Sequence, residues 1–324
     1  MLRIHFTSAD LTRTTLSAEP DPLWETVLSR IRLHDAHRPV TYRPWVRALG
    51  EQAGSRAVRA GGAALGVLAP RGPYFPDFLT PLEGRDGLAA GLEALCRTPR
   101  RALRGQLERL ACGRAMPSWT TPLAAGDPEA LTRLAGTLRD YHAAAVAPHT
   151  GLVGESVAAD HAHRVRCLVT GGLAGLFESL RPMVRWRPPV LEVAYDVDRD
   201  IELGGRGLRL VPSYFCDRAP VSLADPDLPP VLVYPIAQEF RWARAGRGRL
   251  DALLGRTRSA VLRSIQDGAT TTQLARRGGT SLASVSRNTA VLRDAGLISS
   301  HRHSSAVLHS LTALGVALLE NEPA

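Results

Sequence analysis

Two adjacent glycines, Gly278 and Gly279, interrupt the stretch TTTQLARRGGTSLASVSRNTAVLRDAGLI that runs from residue 270 to 298. Glycine costs a helix interior about 1 kcal/mol relative to alanine, so the pair with Thr280 divides the segment into two helices joined by a tight turn. Thr270 stands three residues before Gln273, the spacing of a capping box, which starts a short helix reaching about Arg277. Ser281 is the expected N-cap of a longer helix ending at Asp294 or Ala295, with Val285 and Leu292 facing inward. Gly296 stands where a C-terminal cap needs a left-handed residue.

The flanks complete the pattern. Leu250, Leu253, Leu254, Thr257, Val261, Leu262 and Ile265 recur at helical spacing and predict one apolar face on a preceding helix, ended by Asp267-Gly268. After Leu297 and Ile298, SSHRHSSAVLHSL reads as a β-hairpin with a basic tip at His301-Arg302-His303-Ser304. Thr312 then caps a last helix carrying Leu314 and Leu318.

This order of elements is that of a winged helix-turn-helix. In such a domain the second helix crosses the phosphate backbone and the N-terminal half of the third enters the major groove. Helix N-termini at Thr270 and Ser281 offer backbone N–H groups to phosphates, and Thr271, Ala283 and Ser284 belong to the same contact set. Leu282, Ala283, Ser286, Arg287 and Ala290 face outward, with Asn288 at the margin. Arginine pairs bidentately with guanine and asparagine with adenine, so Arg287 and Asn288 are the candidate base readers. Arg276, Arg277 and Arg293 are the expected phosphate contacts, and His301, Arg302 and His303 suit a wing reaching an adjacent groove or backbone.

Charge agrees with that reading. Residues 241–324 hold 12 arginines against 5 acids, a net of +7, while residues 1–240 hold 28 against 26, a net of +2. Nucleic acid is the first partner to expect for so basic a tail. No apolar run approaches the roughly 18 residues of a membrane helix, and MLRIHFTSADLTRT has polar residues where a signal peptide needs an apolar centre. A cytoplasmic chain with no membrane partner is expected. Cys96, Cys112, Cys167 and Cys216 are widely spaced and contain no C-x-x-C pair, which argues against a zinc ribbon or a disulfide framework.

The remaining chain reads as α+β, mainly helical with a small β-sheet over residues 1–240, ahead of the winged helix over 241–324. Leu2–Phe6 alternates as a short strand. Asp21-Pro22 and Asp127-Pro128-Glu129 are strong helix starts, the second opening a helix over 127–147. Residues 61–86 are rich in Gly and Pro and read as loop, and helical patterns return at 87–111 and 155–181. PVLEVAYDV, IELGGRGLRLVPSYF and PPVLVYPI look like strands of one small sheet that Leu2–Phe6 joins, and 238–249 reads as a connector.

Other chemistries find less support. Metal sensing needs clustered thiolates or His/carboxylate sets, and the tail offers only His301, His303 and His309. His161 and His163 diverge on a helix, and His34, Asp35 and His37 read as a solvated helix end. No G-x-S-x-G, H-E-x-x-H or Walker A motif is present, and Gly171-Gly172-Leu173-Ala174-Gly175 fits helix–helix contact better than phosphate binding. Asp196, Asp198, Asp200 and Glu202 alternate along a strand and read as a solvated face. No catalytic residue, cofactor or metal ligand is therefore expected. Two uses of the long N-terminal region compete: an apolar effector pocket bordered by aromatics near Tyr74–Phe78, Trp119, Trp186 and Tyr214–Phe215, or a scaffold for dimerisation or a protein partner.

The tail resembles the winged helix of ArsR-type bacterial transcriptional regulators. The matching marks are T-x-x-Q-L-A from Thr270, S-x-x-S-V-S from Ser281, L-R-x-A-G-L-I from Leu292 and L-T-x-L-G from Leu311. The likeness covers about 70 residues of the 324, and Arg287-Asn288-Thr289 stands where that family usually has a His-Leu pair. RWRPPVLEV, GGRGLRLVPSYFC and PPVLVYPI also resemble recurring phrases of large ArsR-like regulators from high-GC bacteria. The resemblance implies a homodimeric, one-component regulator of transcription, more a repressor than an activator, on a pseudo-palindromic DNA operator. Its N-terminal region would take a small-molecule or protein effector that the resemblance does not name.

Overall fold

The second sheet of the N-terminal unit is apolar on both faces, and this places it between two cores. The computed structural model describes residues 1–33, 42–51, 55–70, 72, 74–195, 197–216, 219–237, 250, 253–265, 268–277, 281–303 and 306–320. The fold is α+β with small sheets, in two units, Met1–Arg241 and Trp242–Ala324. No helix among the described residues is long and apolar enough to cross a membrane.

The N-terminal unit runs β1 (Leu2–His5), α1 (Ser8–Arg13), β2 (Thr15–Leu16), α2 (Pro22–Leu33), α3 (Arg43–Glu51), α4 (Arg56–Leu68), α5 (Leu88–Cys96), α6 (Arg100–Leu110), α7 (Thr120–Ala124), α8 (Pro128–Ala145) and α9 (Thr150–Ser179). Six strands follow: β3 (Val184–Arg187), β4 (Val190–Val193), β5 (Arg199–Glu202), β6 (Arg209–Ser213), β7 (Val221–Ser222) and β8 (Val231–Pro235). They form two sheets rather than the single one expected, with orders β3-β4-β1-β5 and β2-β6-β8-β7. β1 lies centrally in the first, antiparallel to β4 and parallel to β5. Period-2 alternation sends Leu2, Ile4, Leu191, Val193 and Ile201 into one core and leaves Arg3, Asp200 and Glu202 on the other face. In the second sheet β6 and β8 pair in parallel. Val211 and Val233 enter the large helical core, whereas Leu210, Leu232 and Tyr234 enter the core shared with Phe6 and Phe177.

Helix starts behave as their sequence predicts. Asp21 Oδ1 accepts from Leu23 N at 3.0 Å and Trp24 N at 3.3 Å, and burial pushes its carboxyl up to about 6. Asp127 accepts from Ala130 N at 2.7 Å at the start of α8. The loop expected over residues 61–86 is wrong at its beginning, since α4 continues to Leu68. Gly61 faces α8 there, and a Cβ would overlap the Cβ of Tyr141, so this glycine serves a close helix crossing rather than a turn. The helical pattern at 87–111 divides into α5 and α6 around Thr98-Pro99. The pattern at 155–181 belongs to α9, which starts at Thr150 and breaks at Gly172 (φ 60°). Beyond that break a Cβ on Gly175 would strike Cys167 O and Arg164 reaches Ser179 O, so the glycine run lies where two helical segments pack together, as its sequence suggests. His34, Asp35, His37 and the 238–249 connector lie outside the described residues.

Buried carboxylates join the helices to the sheets. Glu25 of α2 accepts from Tyr214 N at 2.7 Å, Phe215 N at 3.0 Å and Ser213 Oγ at 3.1 Å. Asp160 of α9 accepts from Arg164 Nη2 at 2.8 Å, Tyr234 Oη at 2.9 Å and Ala237 N at 3.2 Å. Arg164 also donates to the Ser179 carbonyl.

The C-terminal unit contains α10 (Arg256–Arg263), β9 (Ala269–Thr270), α11 (Thr271–Arg277), α12 (Leu282–Asp294), β10 (Ile298–His303), β11 (Ala306–Leu311) and α13 (Ala313–Glu320), with strand order β10-β11-β9. Leu250, Val261, Leu262, Ile265, Leu274, Val285 and Leu292 share its core. The single apolar helix face expected from Leu250 is interrupted at Gly255 (φ 79°), and Leu253 and Thr257 are exposed. A left-handed glycine cannot continue a helix, so α10 starts afresh after it.

Gly61→Ala is expected to destabilise the N-terminal unit by about 1–3 kcal/mol through overpacking against Tyr141. Chemical denaturation of the full chain checks this, and an unchanged midpoint would mean that α4 and α8 can separate without loss.

Candidate nucleic-acid interface

The C-terminal unit builds its exposed helix from caps outward. Thr270 and Gln273 form the reciprocal box: Thr270 N donates to Gln273 Oε1 at 2.8 Å, and Gln273 N to Thr270 Oγ1 at 3.3 Å. Ser281 Oγ accepts from Ser284 N at 3.2 Å and opens α12. At the other end Leu297 N donates to Leu292 O at 2.9 Å and Gly296 N to Arg293 O at 2.8 Å, with Gly296 at φ 72°. That paired closure is a Schellman motif, and it turns the chain directly into β10. The Gly278-Gly279-Thr280 turn and Asp267 lie outside the described residues.

α12 has two distinct faces. Val285, Thr289 and Leu292 are buried, and the Thr289 hydroxyl donates to Val285 O at 3.0 Å, which satisfies it within the core. Leu282, Ala283, Ser286 and Arg287 are exposed together over the first two turns, with Ser281 beside them. Among the described residues Arg287 has no hydrogen-bond or ion-pair partner, so its five N–H donors face solvent. Asn288 is different: its Nδ2 donates to Ser284 O at 2.8 Å, which turns the amide along its own helix. Arg293 lies at the far end of α12 and contacts Asp294 at 3.4 Å, away from the exposed first turns. Arg276 is exposed on α11, and Thr271 is partly buried at its start. The side chains of Arg277 and His303 fall outside the described ones.

The hairpin differs from expectation in its register. β10 extends to His303 and β11 begins at Ala306, so His301 and Arg302 are exposed strand residues opposite Leu308 and Val307 rather than a tip. Only residues 304–305, outside the described residues, separate the strands. Continued pairing takes priority because each further pair satisfies backbone N–H and C=O groups.

His309 has a role that sequence reasoning missed. It is buried, with Nδ1 at 2.8 Å from Ser300 Oγ and Nε2 at 3.0 Å from Thr271 Oγ1. One imidazole therefore joins β11, β10 and the start of α11. Burial, helped by the nearby Arg293 charge, lowers its pKa and so disfavours the charged ring. Both ring nitrogens are occupied by hydroxyls, and strand alternation puts His301 on the opposite face. The histidine set considered for a metal is not brought together. Ser300 opposite His309 was the available signal, since directly paired residues share a face.

In the N-terminal unit Asp200 meets His5 at 2.8 Å and Arg3 at 3.2 Å, so the alternating acids form an ion-paired, exposed strand face that lowers the Asp200 pKa, chiefly through the His5 hydrogen bond. Asp196 lies outside the described residues. The aromatics expected around one pocket separate instead. Tyr214 and Phe215 pack with Tyr42 and Trp45, whereas Trp186 packs with Phe6 and Phe177. Trp119 borders a groove of about 370 Å³ between α4, α7 and α8.

Comparison with protein-family models, with curated proteins and with solved structures yields no match.

The His309 geometry carries a pH dependence with a definite sign. Its folded pKa is lowered, so the stability it contributes is present above the unfolded pKa and is lost as pH falls through the folded one. His309→Ala is expected to cost about 2 kcal/mol by leaving two hydroxyls without a buried partner, and to flatten this dependence. Hydrogen exchange of α11 and β10 amides at pH 7.5 and 5 checks both. Identical acid sensitivity in the variant would remove His309 from the account.

Proposed function

We propose that the chain is a homodimeric, sequence-specific DNA-binding regulator of transcription, acting as a repressor in the cytoplasm, with residues 241–324 as a winged helix-turn-helix. The observation that carries this reading is Arg287: exposed and without a partner among the described residues, on the second turn of a helix whose other face is fixed in the core. A guanidinium so presented suits bidentate pairing with O6 and N7 of guanine in the major groove. The Ser281 end of α12 offers backbone N–H groups to a phosphate, and the tail's net of +7 supplies sequence-independent attraction. Arg276, His301 and Arg302, all exposed, are the proposed backbone contacts.

A two-fold dimer would address half-sites about one turn, roughly 34 Å, apart or a multiple of that. A second reading, a dimerisation or partner-binding module that does not read DNA, draws on apolar exposure in the same unit: Leu253 at 69%, Leu314 at 58% and Leu282 at 54%. Leu282 lies on the proposed reading face, where it also suits a thymine methyl, so Arg287 decides between the two.

Anisotropy titration of specific and scrambled duplexes at several salt concentrations tests the proposal. Arg287→Ala is expected to lose about 1–3 kcal/mol on the specific site alone, and Arg302→Ala to weaken all sequences and lower the salt slope by about one. Equal loss on both duplexes for Arg287→Ala would reduce that residue to a phosphate contact, and weak wild-type binding that does not distinguish specific from scrambled duplex would support the second reading.

A further inference from the structure

α4 and α8 meet in close contact at Gly61 and Tyr141, and small side chains on the two helices also leave a groove. Ala60, Ala63 and Ala64 form its α4 wall, Leu134 lies on the α8 side, and α7 closes it with Trp119. The volume, about 370 Å³, lies at the small end of the range for small-molecule sites, large enough for one compact ligand and too small for the face of a partner helix.

Two side chains give the groove a chemical preference. Trp119 is 40% exposed, whereas Trp24 and Trp45 are 3% and 2% exposed in the core, so its indole remains available for stacking. Arg133 is the one charged residue lining the groove among those described. Its side chain is two-thirds exposed and, among the described residues, pairs with Glu129 alone, at 3.5 Å, an exposed pair that holds it weakly. A mainly apolar groove, with Thr137 the other polar side chain on its wall, one loosely held guanidinium and one open aromatic face, complements a flat, largely apolar molecule bearing a single carboxylate. The guanidinium fork matches a carboxylate with two parallel hydrogen bonds.

We infer that the groove between α4, α7 and α8 binds a planar aromatic monocarboxylate, with the ring on Trp119 and the carboxylate on Arg133. This deepens the effector role given to the N-terminal region by the regulatory reading, but it stands on the groove alone. Binding is therefore measured on the full chain without DNA, so that failure here leaves DNA reading untouched and failure of DNA reading leaves this result intact.

The probes are 2-naphthoate, its neutral counterpart 2-naphthamide, and hexanoate, titrated calorimetrically into the wild type, Arg133→Gln, Trp119→Leu and Ala63→Phe. All three positions are exposed, and unfolding midpoints verify that each variant folds. The wild type is expected to bind naphthoate at least about ten-fold more tightly than naphthamide, the scale of one charge-assisted hydrogen bond, with hexanoate weaker still. Arg133→Gln should erase the preference for the acid, Trp119→Leu should narrow the gap between naphthoate and hexanoate, and Ala63→Phe should abolish binding by filling the groove. No saturable binding, equal affinity for acid and amide, or binding that survives Ala63→Phe would each overturn the inference.

Discussion

The N-terminal unit depends on one buried carboxylate. Glu25 lies on α2 within the helical core, yet its two oxygens receive the backbone N–H groups of Tyr214 and Phe215 and the Ser213 hydroxyl at the end of β6. A charge taken out of water is tolerated only where its lone pairs are satisfied, and removing such a set leaves the donors uncompensated as well. The contact therefore does more than join a helix to a strand end. It fixes Tyr214 and Phe215, whose rings stack with Tyr42 and Trp45, and it sets the depth at which β6 enters between two cores. Asp160 does the same for α9 and the end of β8. Both parallel strands are thus held at their C-terminal ends by acids from helices.

The C-terminal unit solves a different problem with neutral groups. Its exposed helix must present polar side chains outward while its own backbone ends are satisfied. Ser281 caps one end, the Schellman closure at Gly296 the other, and His309 ties the hairpin to α11 between two hydroxyls. The first turns of α12 consequently have their backbone settled locally, and Arg287 needs no structural partner. That freedom distinguishes it from Asn288, whose amide is engaged with Ser284, and from Arg293, which contacts Asp294. On the proposed reading the base-reading task falls on the side chain that the fold leaves uncommitted.

Local signals were legible and long-range ones were not. The caps at Asp21, Asp127, Thr270, Ser281, Thr312 and Gly296 can be read because cap and partner lie within a few residues of one another. The helical course of 61–68 was hidden because Gly61 reads as a turn former until Tyr141, eighty residues later, is known to lie against it. The division of the strands into two sheets was equally hidden, since alternation in β6 and β8 shows burial on both faces but not which core each face meets. The exposed first turns of α12 could be read from periodicity. The role of His309 could not, because it needs the hairpin register that pairs it with Ser300 and the distant Thr271.

Selection of sheared genomic fragments by the purified full chain, followed by titration of the recovered sequence against scrambled duplex, tests the central claim most directly. Recovery of an inverted repeat, bound at least about a thousand-fold more tightly than scrambled DNA and with a steep loss of affinity as salt rises, is expected. Recovery of no common sequence, with weak and sequence-blind binding, would contradict it and return the C-terminal unit to the role of an association module.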